Sequence, residues 1–163
     1  MTIYRLALAA TFALCAAATS AHEYRLGDLV IDHPMAFETA NTAMSGGGYL
    51  TIVNEGETPD RLVAVRADFP KVMLHGTEEK DGVARMFHVD GIDIPAGESV
   101  ALEPGGLHVM FMGLRDDPFE VGETFSATLV FEQAGEVDVV FNVEARDGSH
   151  GAGMDHSGHD ATH

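Results

Sequence analysis

The chain has 163 residues, enough for one domain with a modest core, and its 26 acidic against 9 basic side chains give a formal charge of −17. A chain this acidic will not hold nucleic acid or an anionic bilayer through general electrostatics. It attracts cations and basic partners, or its charge simply keeps it in solution. The single cysteine, Cys15, leaves no disulfide framework to staple a fold.

Residues 1–21 read as a secretory signal. Arg5 precedes an apolar run, Leu6–Ala18, broken only by Thr11, and Thr19-Ser20-Ala21 supplies small residues before a cut expected after Ala21. The run is too short to span a bilayer. Cys15 follows Leu14 and not a small residue, which argues against a lipid anchor. With no second apolar run, the expected product is a soluble periplasmic protein without a membrane span. Cleavage removes Arg5, so Lys+Arg falls from 9 to 8 against 26 Asp+Glu, a formal −18. It also removes the only thiol, so soft-metal chemistry in the mature chain must use other ligands.

Residues 22–146 form the expected domain. Short β-type runs recur about every ten residues between turn signals, a spacing that suggests a sandwich or barrel. In chain order they are Asp28–Ile31, Gly48–Asn54, Arg61–Ala67, Lys71–Thr77, Ala84–His88, Ser99–Leu102, Leu107–Leu114, Thr124–Phe131 and Val137–Val143. Ser45-Gly46-Gly47-Gly48, Asn54-Glu55-Gly56, Glu79-Lys80-Asp81-Gly82, Pro95-Ala96-Gly97 and Pro104-Gly105-Gly106 punctuate them. The expectation is an antiparallel β-sandwich of seven to nine strands.

Three of these strands carry the chemistry. Side chains alternate across a strand, so Leu107, Val109 and Phe111 take one face while His108, Met110 and Met112 take the other. Methionine usually fills a core, but here better packers already occupy the core face. Lys71–Thr77 repeats the pattern, with Val72 and Leu74 opposite Met73 and His75. In Ala84–His88, Met86 and His88 share a face. A hairpin through Glu79–Gly82 would set these two strands side by side. Thioether with imidazole selects a soft or borderline metal, copper(I) foremost. Zinc prefers thiolate, imidazole or carboxylate, and calcium and magnesium prefer oxygen.

His75, Met86, His108 and Met110 are spaced as H-x10-M-x21-H-x-M, and the last pair lies within Pro-Gly-Gly-Leu-His-Val-Met-Phe-Met-Gly-Leu. This pattern resembles the PCuAC family of periplasmic copper chaperones over roughly Tyr24 to Glu144. The resemblance implies an all-β, cupredoxin-like antiparallel Greek-key β-sandwich that holds copper(I) at those four residues near one end. It implies a carrier, not an enzyme, which delivers copper to the binuclear centre of cytochrome c oxidase through its copper-receiving subunit or through another copper chaperone. Many members have Met after the first His, where this chain has Gly76; Met73 is a candidate to fill that role. His88 and Met112 fall outside the four-residue pattern.

Residues 147–163 (DGSHGAGMDHSGHDATH) contain no large apolar residue except Met154, and are expected to be a disordered tail. His150, Met154, His156, His159 and His163 make it a second candidate site, suited to copper(II) because mobile imidazoles can adopt its tetragonal geometry. His22, exposed as the new N-terminus, is another copper(II) chelator on paper. Two other functions remain open. A copper buffer for resistance would make the tail the main feature. A redox protein or copper enzyme has less support, because a blue-copper site requires a thiolate. No Ser/His/Asp arrangement or nucleotide fingerprint occurs, and Gly46–Gly48 precede a strand and not a helix.

Overall fold

A computed structural model describes residues 23–115 and 117–146. The signal, His22 and the His/Met-rich tail lie outside the described residues. The strands are β1 (Glu23–Leu26), β2 (Leu29–Phe37), β3 (Ser45–Asn54), β4 (Asp60–Ala67), β5 (Lys71–Lys80) and β6 (Val83–His88). They continue as β7 (Ile92–Ile94), β8 (Ser99–Leu102), β9 (His108–Met112), β10 (Thr124–Phe131) and β11 (Gly135–Glu144). All nine expected strands are present. β1 and β7 are additional, so the described residues carry eleven strands against the expected seven to nine.

The strands follow the path β6-β5-β9-β3-β2-β11-β10-β4-β7, with β1 added on β2 and β8 on β3. This non-sequential order is that of a Greek-key-type sandwich, and its far limb folds back so that β4 packs against β5. Every ladder is antiparallel except β2–β11, which pairs Asn142 with Met35 and Glu144 with Phe37 in parallel. The wholly antiparallel expectation is corrected at that one ladder. A parallel pair needs a long crossover, and the whole domain between β2 and β11 supplies it.

β2 and β3 make the sandwich bend. The register of β2 on β3 shifts between Asp32 and Met35, where His33 takes a φ of 49°. Pro34, which has no amide to donate, sits in that bulge. Beyond it β3 changes partner: Leu50–Val53 pairs with β8, whereas Ser45–Gly48 pairs with β9. β3 thereby carries β9 out toward β5 and β6.

The alternation of β3, β5, β9, β10 and β11 sends one face inward. Ile52, Leu74, Val109, Phe111, Leu129 and Phe141 are buried there, in one cluster with Ile31 of β2 and Leu62 of β4. Phe111 anchors an aromatic cluster, its ring 4.9 Å from Phe125, 5.1 Å from Phe69 and 5.5 Å from Phe141. β5 and β6 form the expected hairpin, with Lys80 opposite Val83. Asp81 and Gly82 both have positive φ, 55° and 75°, as a two-residue turn matched to strand twist requires. β6 ends the path, and all six of its residues are exposed.

Candidate metal centre

The register of three neighbouring strands aligns three histidines. His88 on β6 lies directly opposite His75 on β5, and His75 lies directly opposite His108 on β9. Directly paired residues project to the same face. The rings stand 6.0 Å and 5.9 Å apart, edge to face. One step along, Met73 faces Met110, and one step beyond that Lys71 faces Met112. In the other direction Met86 faces Thr77. The expected faces hold, since Leu74, Val109 and Phe111 point into the core.

The three imidazoles are not equivalent. His108 is only 4% exposed. Its Nδ1 lies 3.1 Å from the carbonyl of Gly106, an oxygen that only accepts, so Nδ1–H donates and Nε2 keeps its lone pair. That Nε2 is buried and has no partner, and the same is true of His75 Nδ1. Among the described residues just one further buried side-chain nitrogen, on Asn142, lacks a partner. An unpartnered buried polar atom costs about 1–3 kcal/mol, so two on adjacent rings call for a ligand. Burial, reinforced by His108, His88 and Lys71, holds His75 below its ordinary pKa of 6.5, which keeps the ring neutral and able to donate a lone pair. His88 differs: its Nδ1 meets the Leu74 carbonyl at 3.1 Å and its Nε2 meets Asp90 Oδ1 at 3.3 Å. Both of its nitrogens are engaged, which makes it a wall of the site.

The sulfurs divide in the same way. Met110 is half-buried beside His108, whereas Met86 sits on the edge strand and is 54% exposed. The structure therefore brings His75, His108 and Met110 together. It leaves Met86 diagonal to His75, on the strand away from Met110. His108 is buried, so the site is deep at β9 and shallow at β6 alone. Among the described residues no group of three or more His, Cys, Asp or Glu converges as a metal cluster, whereas two imidazoles and the Met110 thioether share one sheet face. That donor set fits copper(I) and fits zinc, calcium or magnesium poorly.

Two supporting residues escaped the sequence reading. Tyr49 lies 6.5 Å from the His108 ring and 5.6 Å from Phe37. It reaches across Gly47, where a Cβ would come within 2.5 Å of the tyrosine hydroxyl. Burial pushes the Tyr49 phenol up, with Arg146 opposing weakly, so a neutral ring covers the inner histidine. The alternation of β3 placed Tyr49 off the core face, but nothing local announced that β3 lies next to β9. The second is the Gly106 carbonyl, in the Pro104-Gly105-Gly106 turn that leads into β9. Gly76 also has a structural reason: a Cβ there would lie 2.6 Å from the Phe87 ring, which fills that space on the face opposite His75.

Fold and site together define a β-sandwich that gathers imidazole and thioether groups on one sheet face. Residues 29–143 match the LpqE-like lipoprotein family, and the chain belongs to that family. A lipoprotein of Leifsonia xyli subsp. xyli is 39% identical over 74 residues, 45% of this chain and 44% of its own length. The chain thus matches less than half the length of that curated relative. Among solved structures, the apo PCuAC domain from PmoF1 is 32% identical with a TM-score of 0.66, over 77% of this chain and all of that one. Cu(I)-bound DR1885 from Deinococcus radiodurans is 27% identical with a TM-score of 0.58, over 79% of this chain and 85% of that one. The fold is accordingly the cupredoxin-like sandwich of PCuAC domains.

Proposed function

We propose that this chain is an exported copper(I) carrier. In this reading His75, Met86, His108 and Met110 bind one copper(I), which passes to the copper-receiving subunit of cytochrome c oxidase or to another copper chaperone. The observation that carries the proposal is the pair of buried, unpartnered nitrogens on His75 and His108, directly opposed residues of β5 and β9 that share a face with Met110. The likeness to Cu(I)-bound DR1885 supports the choice of ion. The role is binding and transfer, without turnover. Thioethers suit an exported protein because they resist oxidation longer than thiols. An edge strand that carries one ligand lets an acceptor replace ligands stepwise.

The tail ligands His150, Met154, His156, His159 and His163 are proposed to capture copper(II). Support comes from where the described chain ends. Arg146 lies 5.3 Å over the Phe37 ring, Phe37 touches Tyr49, and Tyr49 touches His108. The side chain of Arg146, the last described residue, is therefore linked to His108 through the Phe37 and Tyr49 rings. Export to the periplasm, with a cut after Ala21, is proposed with this carrier role. Among the described residues no helix is long and apolar enough to cross a membrane.

Acceptor metallation by three proteins tests the proposal: full length, a deletion of residues 148–163, and the double variant His108→Ala with Met110→Leu. Core substitution should abolish transfer with the tail present, and tail deletion should slow it at most. X-ray absorption of the tail-deleted copper(I) form should show sulfur and nitrogen scatterers. An all-nitrogen shell sinks the assignment, and transfer that survives core substitution but not tail deletion leaves the tail as the working site.

A further inference from the structure

On two adjacent strands, the two directly opposed pairs His75–His108 and Met73–Met110 form a rectangle of four donors on one face. Its sides are about 5 Å across the strands and about 7 Å along them. Three corners are residues of the copper site proposed above, and the fourth is Met73. Met86 stands elsewhere. Two strand spacings and four residues along the strand separate it from Met110, about 16 Å on a flat sheet. Two sulfurs on one metal ion lie within about 4.6 Å of each other, at bonds near 2.3 Å. Met73 meets that condition with Met110 as its direct partner. Met86 meets it only when the exposed hairpin strand folds inward.

Met73 is not needed for packing. It is half-buried on the donor face, while Leu74 and Gly76 of the same strand are buried on the core side. Met35, by contrast, is a core methionine at 9% exposure. We propose that Met73 is a fifth copper(I) ligand that exchanges with Met86. Copper(I) held by His75, His108, Met110 and Met86 shifts to His75, His108, Met110 and Met73 when Met86 leaves with the edge strand. An acceptor that engages Met86 at β6 then draws on a site that never falls below three protein ligands. The exchange rests on the core-site reading and adds to it a residue and an order of events.

The test uses the full chain with its methionine methyl groups labelled with carbon-13, titrated with copper(I) against a competing chelator. The proteins are wild type, Met73→Leu, Met86→Leu, the double variant, and Met110→Leu as the control for the site itself. Leucine keeps volume and apolarity, and thermal unfolding checks that each variant folds. If the two sulfurs substitute for one another, each single loss is small. The double variant then binds at least about tenfold more weakly than the product of the single losses predicts. The Met73 methyl resonance should also move on copper(I) addition, and move further in Met86→Leu. A Met73 methyl that stays still in both proteins, or losses that simply multiply, overturns the exchange while leaving the core site standing. Unchanged affinity in Met110→Leu overturns the core site and the exchange together.

Discussion

On one side of β9, Val109 and Phe111 are wholly buried, and Phe111 touches four other aromatic rings. On the other side the same five residues present His108, Met110 and Met112, with a buried nitrogen that meets nothing. β5 repeats the division, with Leu74 inward and Met73 and His75 outward. A strand's period of two lets one backbone serve stability on one face and chemistry on the other. The core face gains by contact. The donor face is held in place by the core face and keeps lone pairs that a packed interior would have satisfied. Substitutions on the two faces should therefore fail in different assays.

The largest effect is expected from the core. Phe111→Ala should cost about 3–5 kcal/mol in chemical denaturation, a large part of the roughly 5–15 kcal/mol that holds a domain together. Copper(I) binding should disappear in parallel with folding and return with any stabilising condition. A Phe111→Ala protein that unfolds at the wild-type denaturant concentration would show that the aromatic cluster does not anchor the sandwich.

His108→Leu sharpens the same contrast from the other face. It removes one of two donors to the Gly106 carbonyl, which keeps the Thr77 amide at 3.1 Å, and it also removes the orphaned Nε2, so the two changes oppose each other. Stability should move little, while copper(I) affinity measured against a chelator should fall by about a hundredfold or more. A loss of folding as large as that of Phe111→Ala would mean that His108 is a core residue, and that its unpartnered nitrogen says nothing about metal.

Much of this division was legible in the sequence. The alternation in Leu107–Leu114 and Lys71–Thr77 and the Asp81-Gly82 turn gave the faces and the β5–β6 hairpin, because period and turn chemistry are local. Gly105 and Gly106 marked the entry to β9. What could not be read was register between strands distant in sequence. Nothing near Met73 or Met110 says that they oppose one another, and Tyr49 shows its role only once β3 lies beside β9. β7 is three residues between Gly91 and Pro95, too short to show alternation, and β1 is four residues that pair only with β2. The depth of the site was hidden for the same reason, since His108 lies against Tyr49 of β3 and His75 of β5.

Acidity gives a smaller effect that separates the faces without mutation. His75 has a folded pKa below its unfolded value near 6.5, so above about pH 7 both states carry the neutral ring and stability does not depend on this group. As pH falls through about 6.5 the unfolded chain takes up the proton first, and apo stability should decline until the folded pKa is passed. Copper(I) on the ring should displace that decline to lower pH, because a metallated nitrogen cannot be protonated. Thermal midpoints of apo and copper(I) protein between about pH 7.5 and pH 5 check this, with His75→Gln expected to flatten the apo curve. Identical slopes for the two forms would argue that His75 is not a ligand.

The smallest effect on metal binding is expected at a position where the resemblance to PCuAC proteins suggests an auxiliary methionine. Position 76 follows His75, the first histidine of the proposed site, and many PCuAC members carry methionine there. In this chain a side chain at 76 projects to the face opposite His75 and into the Phe87 ring, since a Cβ would lie 2.6 Å from it. Gly76→Met alone should therefore overpack that contact, costing about 1–3 kcal/mol. Phe87→Ala should relieve it, because Phe87 is 45% exposed and its removal opens space toward solvent. The double variant Gly76→Met with Phe87→Ala should fold and place a new thioether beside the hairpin. Its copper(I) affinity should stay within about twofold of wild type, because alternation sends that sulfur away from His75 and His108. An affinity gain comparable to the Met110→Leu loss would mean that the β5–β6 hairpin rotates when copper binds. The face of residue 76 in the folded sandwich would then no longer decide which side chains reach the ion.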